Sequence, residues 1–206
     1  MRRRTALVVT EHADYLTHER RERYEIVRAR LEAAGGAPVE AVHYLDADGL
    51  GGAEAIILSG SAAPRAAHDP EALARLGEVV TASGRPALGV CAGMQLMAEW
   101  SGGSVAPMSE RGAEAERGFV EVEVVEGEGL LAGLPERATV FQDHEDEVTV
   151  LPAGLRLLAR SERSSVQALA WTERPWWGTQ FHPEWWDDER RDGARVLRNF
   201  FALARM

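Results

Sequence analysis

The stretch GVCAGMQ, residues 89–95, decides how this chain folds, and it holds the only cysteine among 206 residues. It joins a short apolar run, PALGV at 86–90, to a segment of helical spacing, AGMQLMAEW at 92–100, which stops at Ser101, Gly102 and Gly103. A buried strand running straight into a helix is the repeating unit of a parallel α/β sheet. Glycines at 89 and 93 flank Cys91, and Gly-x-Cys-x-Gly has the form of a nucleophile elbow: a tight turn exposes the central side chain and small neighbours admit the backbone closely. A helix start also favours a thiolate over a thiol. The plainer reading is packing, because free cysteine is among the most buried residue types. On this stretch alone the two readings stand level.

Working outward, the same alternation recurs upstream. Residues 4–10 form a buried-strand run, and 17–34 carry apolar positions at Tyr24, Val27, Leu31 and Ala34 at helical spacing before Gly35 and Gly36 stop them. Residues 39–45 alternate like a strand, and 55–59 are a second buried run. Asp69, Pro70 and Glu71 supply an N-cap, an N1 proline and an acidic first turn for a helix to about residue 82. Downstream the pattern changes. FVEVEVV at 119–125 alternates strictly, and short strands fit 138–142, 155–159, 166–171 and 176–181, which suit antiparallel additions or sheet edges. A helix over 190–205 closes the chain. The fold class expected is α/β: three layers, a mostly parallel sheet flanked by helices, with antiparallel additions. With no repeat, linker or low-complexity tract, residues 1–206 read as one domain.

Composition narrows the function. Hydrophobic residues at 45% can bury a core without disulfides or metal. A single cysteine, no 18-residue apolar run and no signal-peptide pattern point to a cytoplasmic setting without a membrane. A net charge of −10 disfavours nucleic acid and favours a small substrate. All 23 basic residues are arginine, which excludes Schiff-base chemistry on lysine. Nothing in the chain sets its oligomeric state.

A nucleophilic thiol needs a base, and the base needs an orienting group. GTQFHPE at 178–184 offers both: His182 and Glu184, two apart on an extended segment, point the same way, so the carboxylate can hold the imidazole in one tautomer. Alone, His182 is as readily a strand-end residue; beside the elbow it gains weight.

Together, GVCAGMQ, QFHPE and LSGS at 58–61 resemble the class I (triad) glutamine amidotransferases in order and spacing over nearly the whole chain. The resemblance implies a flavodoxin-like fold, with Cys91 attacking the side-chain amide of glutamine, His182 passing a proton to departing ammonia, and Glu184 orienting His182. It further implies an oxyanion hole built from the Ala92 N–H and from Gly60 and Ser61 of the loop after the third strand, with Gln95 contacting bound glutamine. The loop reads SGSAAP at 59–64 where the family commonly has SGGP, so Ser61 stands where glycine would allow positive φ. FQDHEDEV at 141–148 resembles the segment around SHGDEV in GMP synthase glutaminases, making Asp143 and His144 candidate substrate contacts; otherwise 143–147 is a solvated acidic turn. No metal and no cofactor are expected, because the acidic run lacks the ligand alternation and glycine of a calcium loop.

Within these residues no phosphate-cradling glycine loop appears, so amination of a nucleotide would need a separate synthetase subunit to receive the ammonia. The alternatives are a stand-alone γ-glutamyl amide hydrolase and a catalytically silent regulatory homologue. Trp171 and Trp177 read as strand packing, and Trp185 and Trp186, directly after Glu184, as a rim for a partner or a larger γ-glutamyl substrate. The charged segment over 10–23 is the other candidate for setting substrate or partner choice.

Overall fold

In the computed structural model, which describes residues 4–205, strand β1 (Thr5–Val9) is buried along its whole length and lies parallel to β2 (Val39–His43) on one side and β3 (Ala55–Leu58) on the other. Strand β4 (Ala87–Val90) extends this parallel set from β3. Period-two alternation divides these strands between two cores. Leu7, Ile57, Leu88 and Val90 face a layer containing α1 (His18–Gly35), whereas Ala6, Val8, Ile56, Leu58 and Ala87 face one containing α2 (Pro70–Ser83) and α3 (Ala92–Trp100). The chain-closing helix α4 (Asp192–Leu203) places Val196, Leu197, Phe200 and Phe201 in the first core. The result is the three-layer α/β architecture expected.

Helix ends follow the local chemistry of the sequence. The Thr17 side chain accepts from the Arg20 N–H to open α1, and α1 ends against Gly36 at φ 65°. The Asp69 carboxylate accepts from the Glu71 and Ala72 N–H groups to open α2, with Pro70 in the first turn.

The downstream strands are β5 (Ser104–Pro107), β6 (Glu116–Val124), β7 (Arg137–His144), β8 (Asp146–Val150), β9 (Leu155–Arg160), β10 (Ala168–Trp171) and β11 (Trp176–Thr179). The large sheet has the order β2-β1-β3-β4-β11-β10-β9-β6-β7, antiparallel from β11 onward, and β5 pairs with β8 in a separate ribbon. Features of this half differ from the sequence reading, beginning with β5, a strand that the pattern of 104–107 does not signal. Strand β11 is not an edge or a wholly antiparallel addition: it runs parallel to β4 in the middle of the sheet. Gly178 lets α3 lie directly on it, since a Cβ there would meet Met94 Cγ at 2.4 Å. Residues 146–150 form a strand rather than continuing an acidic turn. Glu147 is buried there because the Arg111 guanidinium binds both of its oxygens.

The β4–α3 turn is tightly packed against its neighbours. A Cβ on Gly93 would lie 2.4 Å from the Leu58 carbonyl oxygen, and one on Gly89 would lie 2.6 Å from the Met94 nitrogen. Backbone meets backbone at both points, so no rotamer change relieves the clash. Gly93→Ala should therefore destabilise the protein by about 1–3 kcal/mol or prevent folding, read as a lowered urea midpoint. Gly84→Ala, which meets nothing within 4 Å but has φ 61°, should show only the smaller cost of its backbone angle, about 1 kcal/mol.

Candidate active site

Strand β4 stops at Val90, and Cys91 turns the chain at φ 50°, ψ −111°. It is the only non-glycine residue at positive φ among the described residues. Such a conformation costs on the order of 1–3 kcal/mol and persists because its surroundings enforce it. The Cys91 N–H donates to Thr179 O at 2.7 Å, the Gln95 N–H to Cys91 O at 3.1 Å, and the Gly93 N–H to Ser59 O at 3.1 Å. Strand β11, helix α3 and the loop after β3 are thus stitched together at the cysteine. The side chain is 5% exposed, at the base of a cavity of about 460 Å³.

The chain leaving β11 supplies the other two groups. The His182 N–H donates to Phe141 O at 2.8 Å, an isolated bridge that fixes the backbone beside β7. His182 and Cys91 both abut Gly60, and His182 Nδ1 lies 2.8 Å from Glu184 Oε1. Thiol, imidazole and carboxylate therefore stand in succession around Gly60. Burial pulls the His182 pKa down, but the charges of Glu184 and of a Cys91 thiolate, with the hydrogen bond to Glu184, raise it well above the usual 6.5. Because the folded value is raised, the stability this ion pair contributes is present below pH 6.5 and is lost as pH climbs through the raised value. Gly60 makes room for the ring: a Cβ there would stand 2.8 Å from His182 Cε1 and 3.4 Å from Cys91 Cβ.

The residues singled out in the sequence converge on this cavity. Gly60, Ser61, Ala92 and Gln95 line it, as do Asp143 and His144 from the end of β7. The Ala92 N–H, in the first turn of α3, has no protein acceptor among the described residues. Ser61 has no positive φ, so its side chain costs no backbone strain. Asp143 is open to solvent and pairs with Arg117 at 2.9 Å. His144 is buried: Nδ1 lies 2.9 Å from Asp146 O and Nε2 3.0 Å from Glu116 Oε2. Burial alone would raise the Glu116 pKa, but hydrogen bonds from His144, Ser161 and Gln167 outweigh it and keep the carboxyl low. Gln95 is buried as well, its Nε2 donating to Asp146 O and to Gln180 Oε1, both at 3.1 Å.

Other groups at the site lie beyond the residues singled out in the sequence. Gln180 directs its Nε2 at Cys91 Sγ, 3.6 Å away; it stands inside QFHPE, where its spacing from His182 is the available signal. Tyr24, at an apolar position of its helix by spacing, donates its hydroxyl to Gly60 O at 3.0 Å. Burial pushes that phenol far above its ordinary range, so it stays a neutral donor. Glu11 holds the loop at 61–63, and nothing local in the sequence marks it. Trp171 and Trp176 pack edge to face in the core, and Trp177 lies against Phe200. Trp185 and Trp186 are half-buried beneath α1: the Arg30 guanidinium sits 4.3 Å from the Trp186 ring centre and 5.2 Å from that of Trp185. Arg30 also donates to the Glu184 carbonyl at 2.7 Å, so α1 braces the turn that carries Glu184.

Comparisons with known proteins point to one family. Residues 23–204 match the family Glutamine amidotransferase class-I. A glutamine-hydrolyzing GMP synthase subunit from Methanothrix thermoacetophila is 33% identical over 184 residues, covering 88% of this chain and 91% of the relative. The corresponding subunit from Pyrococcus furiosus is 44% identical over 115 residues, covering 56% of this chain and 58% of the relative. The match therefore spans less than two thirds of that relative's length. Among solved structures, a protein of the GMP synthase subunit type from Thermoplasma acidophilum superposes with a TM-score of 0.80 at 28% identity, covering 100% of this chain and 95% of that one.

Replacing Glu184 with Gln keeps the shape of the side chain and removes the charge that raises His182. The His182 titration, followed by the ring Cε1–H resonance, should move to lower pH in Glu184→Gln. An unmoved titration would show that the carboxylate does not control the ring.

Proposed function

The chain belongs to the class-I glutamine amidotransferases, and from that premise we propose that it hydrolyses the side-chain amide of glutamine and supplies the ammonia to a separate synthetase. The observation that carries this reading is the succession from Cys91 at positive φ through His182 to Glu184. The Cys91 thiolate attacks the amide carbon, and the carbonyl π pair moves onto oxygen. N–H groups of Ala92 and of the Gly60–Ser61 loop receive that oxyanion, each worth a few kcal/mol in such sites. As the C–N bond breaks, the His182 imidazolium gives its proton to the nitrogen and ammonia leaves, with a γ-glutamyl thioester remaining on sulfur. Water then attacks the thioester while His182 takes its proton, and collapse of the second oxyanion releases glutamate and the thiolate. Glu184 holds the ring in the tautomer that presents Nε2 to sulfur and offsets the charge of the imidazolium.

The chemistry consumes only glutamine and water and needs no metal or cofactor. Residues 1–206 would work as one glutaminase domain in a cytoplasmic setting. Relatives named as subunits of GMP synthase support a nucleotide-amidating synthetase as the acceptor of ammonia. The pure protein, with or without such a synthetase, should release ammonia and glutamate from glutamine, and Cys91→Ala should lower that rate at least about a thousandfold. Release from neither glutamine nor γ-glutamyl amides under both conditions would overturn the reading.

A further inference from the structure

Glu11 lies just past the end of β1, is 1% exposed, and stands outside the thiol–imidazole–carboxylate set. Its carboxylate is saturated with donors. Oε1 accepts the Ser61 hydroxyl at 2.8 Å and the Ala63 N–H at 2.9 Å; Oε2 accepts the Ala62 N–H at 3.0 Å and Arg20 Nη1 at 3.0 Å. Three of the four bonds come from the loop after β3, and the fourth neutralises the charge from α1. Buried ionised groups survive only when paired and hydrogen-bonded in this way.

The rest of the loop is gripped from the same side. Thr10 Oγ1 lies 2.9 Å from Ser59 O, the Thr10 N–H donates to Ser59 Oγ at 3.1 Å, and Tyr24 donates to Gly60 O at 3.0 Å. The carbonyls of 59 and 60 and the N–H groups of 62 and 63 are therefore engaged. Among the described residues, the N–H groups of Gly60 and Ser61 have no protein acceptor. Those two amides belong to the part of the loop that abuts Cys91 and His182.

We propose that Glu11 is a positioning residue for the oxyanion hole: it clamps residues 61–63 from behind, so that the free amides of Gly60 and Ser61 stay directed at the oxygen of an acyl group on Cys91. Serine at 61 then has a reason of its own, because its hydroxyl is one of the three grips and glycine would supply none. The inference rests on the proposed amide-cleaving role of Cys91 and adds the group that preorganises the loop. Preorganised donors cost no reorganisation when charge develops, and the loss of one typically lowers turnover 100- to 1,000-fold.

Two reactions of the Cys91 thiol separate positioning from general support. Acylation by p-nitrophenyl acetate passes through a tetrahedral oxyanion and needs no recognition of glutamine; alkylation by iodoacetamide is a displacement at carbon with no oxyanion. In Glu11→Gln, which keeps the side-chain shape, acylation should slow at least about tenfold with alkylation unchanged, and turnover of glutamine should fall in kcat with little change in KM. Ser61→Ala, which alters only a hydroxyl, should give a smaller loss in the same sense, and the double variant should be no worse than Glu11→Gln. Ser61→Ala keeps the test available if Glu11→Gln fails to fold. Equal losses of acylation and alkylation, or no loss of either, would overturn the clamp. Wild-type protein that releases no ammonia would count against the glutaminase reading, while the acylation-to-alkylation ratio would still judge the clamp.

Discussion

The contact between the first turn of α3 and the ends of β3 and β4 is the constraint on which the remainder rests. Helix and strands meet there without side chains between them, because Gly89 and Gly93 have none. That closeness drives Cys91 into positive φ and lets the Gly93 N–H reach Ser59 O. One tight packing event thereby sets the height of Cys91 above the sheet and the distance of the loop after β3 from it. A more loosely packed turn could relax the cysteine to an ordinary backbone conformation and would withdraw the loop at the same time.

Around that turn the protein keeps an unusual density of polar groups out of water. Glu11, Gln95, Glu116, Gln142, His144, Gln167, Gln180 and Glu184 are all buried near or behind the cavity. Most are held by one another or by backbone, the condition under which burial of such groups is tolerated. Arginine supplies the neutralising cations, as Arg20 does for Glu11 and Arg111 for Glu147. Its planar fork suits bidentate pairing with carboxylates, and it does not lose its charge on burial.

Much of the parallel half was legible in the sequence, for physical reasons. A strand buried on both faces must be continuously apolar, and the cap at Asp69 acts within three residues of itself. The elbow and QFHPE were legible because each packs its chemistry into a few consecutive residues. What stayed hidden is nonlocal. Glu11 owes its role to a loop 50 residues away, and Glu147 owes its burial to Arg111, 36 residues upstream. Strand β11 looked peripheral because its central place depends on Met94 crossing over Gly178. Trp185 and Trp186, adjacent to the triad acid in sequence, gave no sign that α1 would cover them with Arg30.

The run of amides leading to the sulfur has a direction. Asp146 O is a carbonyl and can only accept, so the Gln95 group facing it must be the NH₂. That same NH₂ then requires the oxygen of Gln180 as its neighbour, which turns the Gln180 NH₂ toward Cys91. A backbone oxygen two side chains distant thus dictates that sulfur meets a donor rather than an acceptor. No single amide in the run can be turned over without turning the next, so the polarity presented to the sulfur is a property of the whole chain of bonds, anchored at its far end in the main chain.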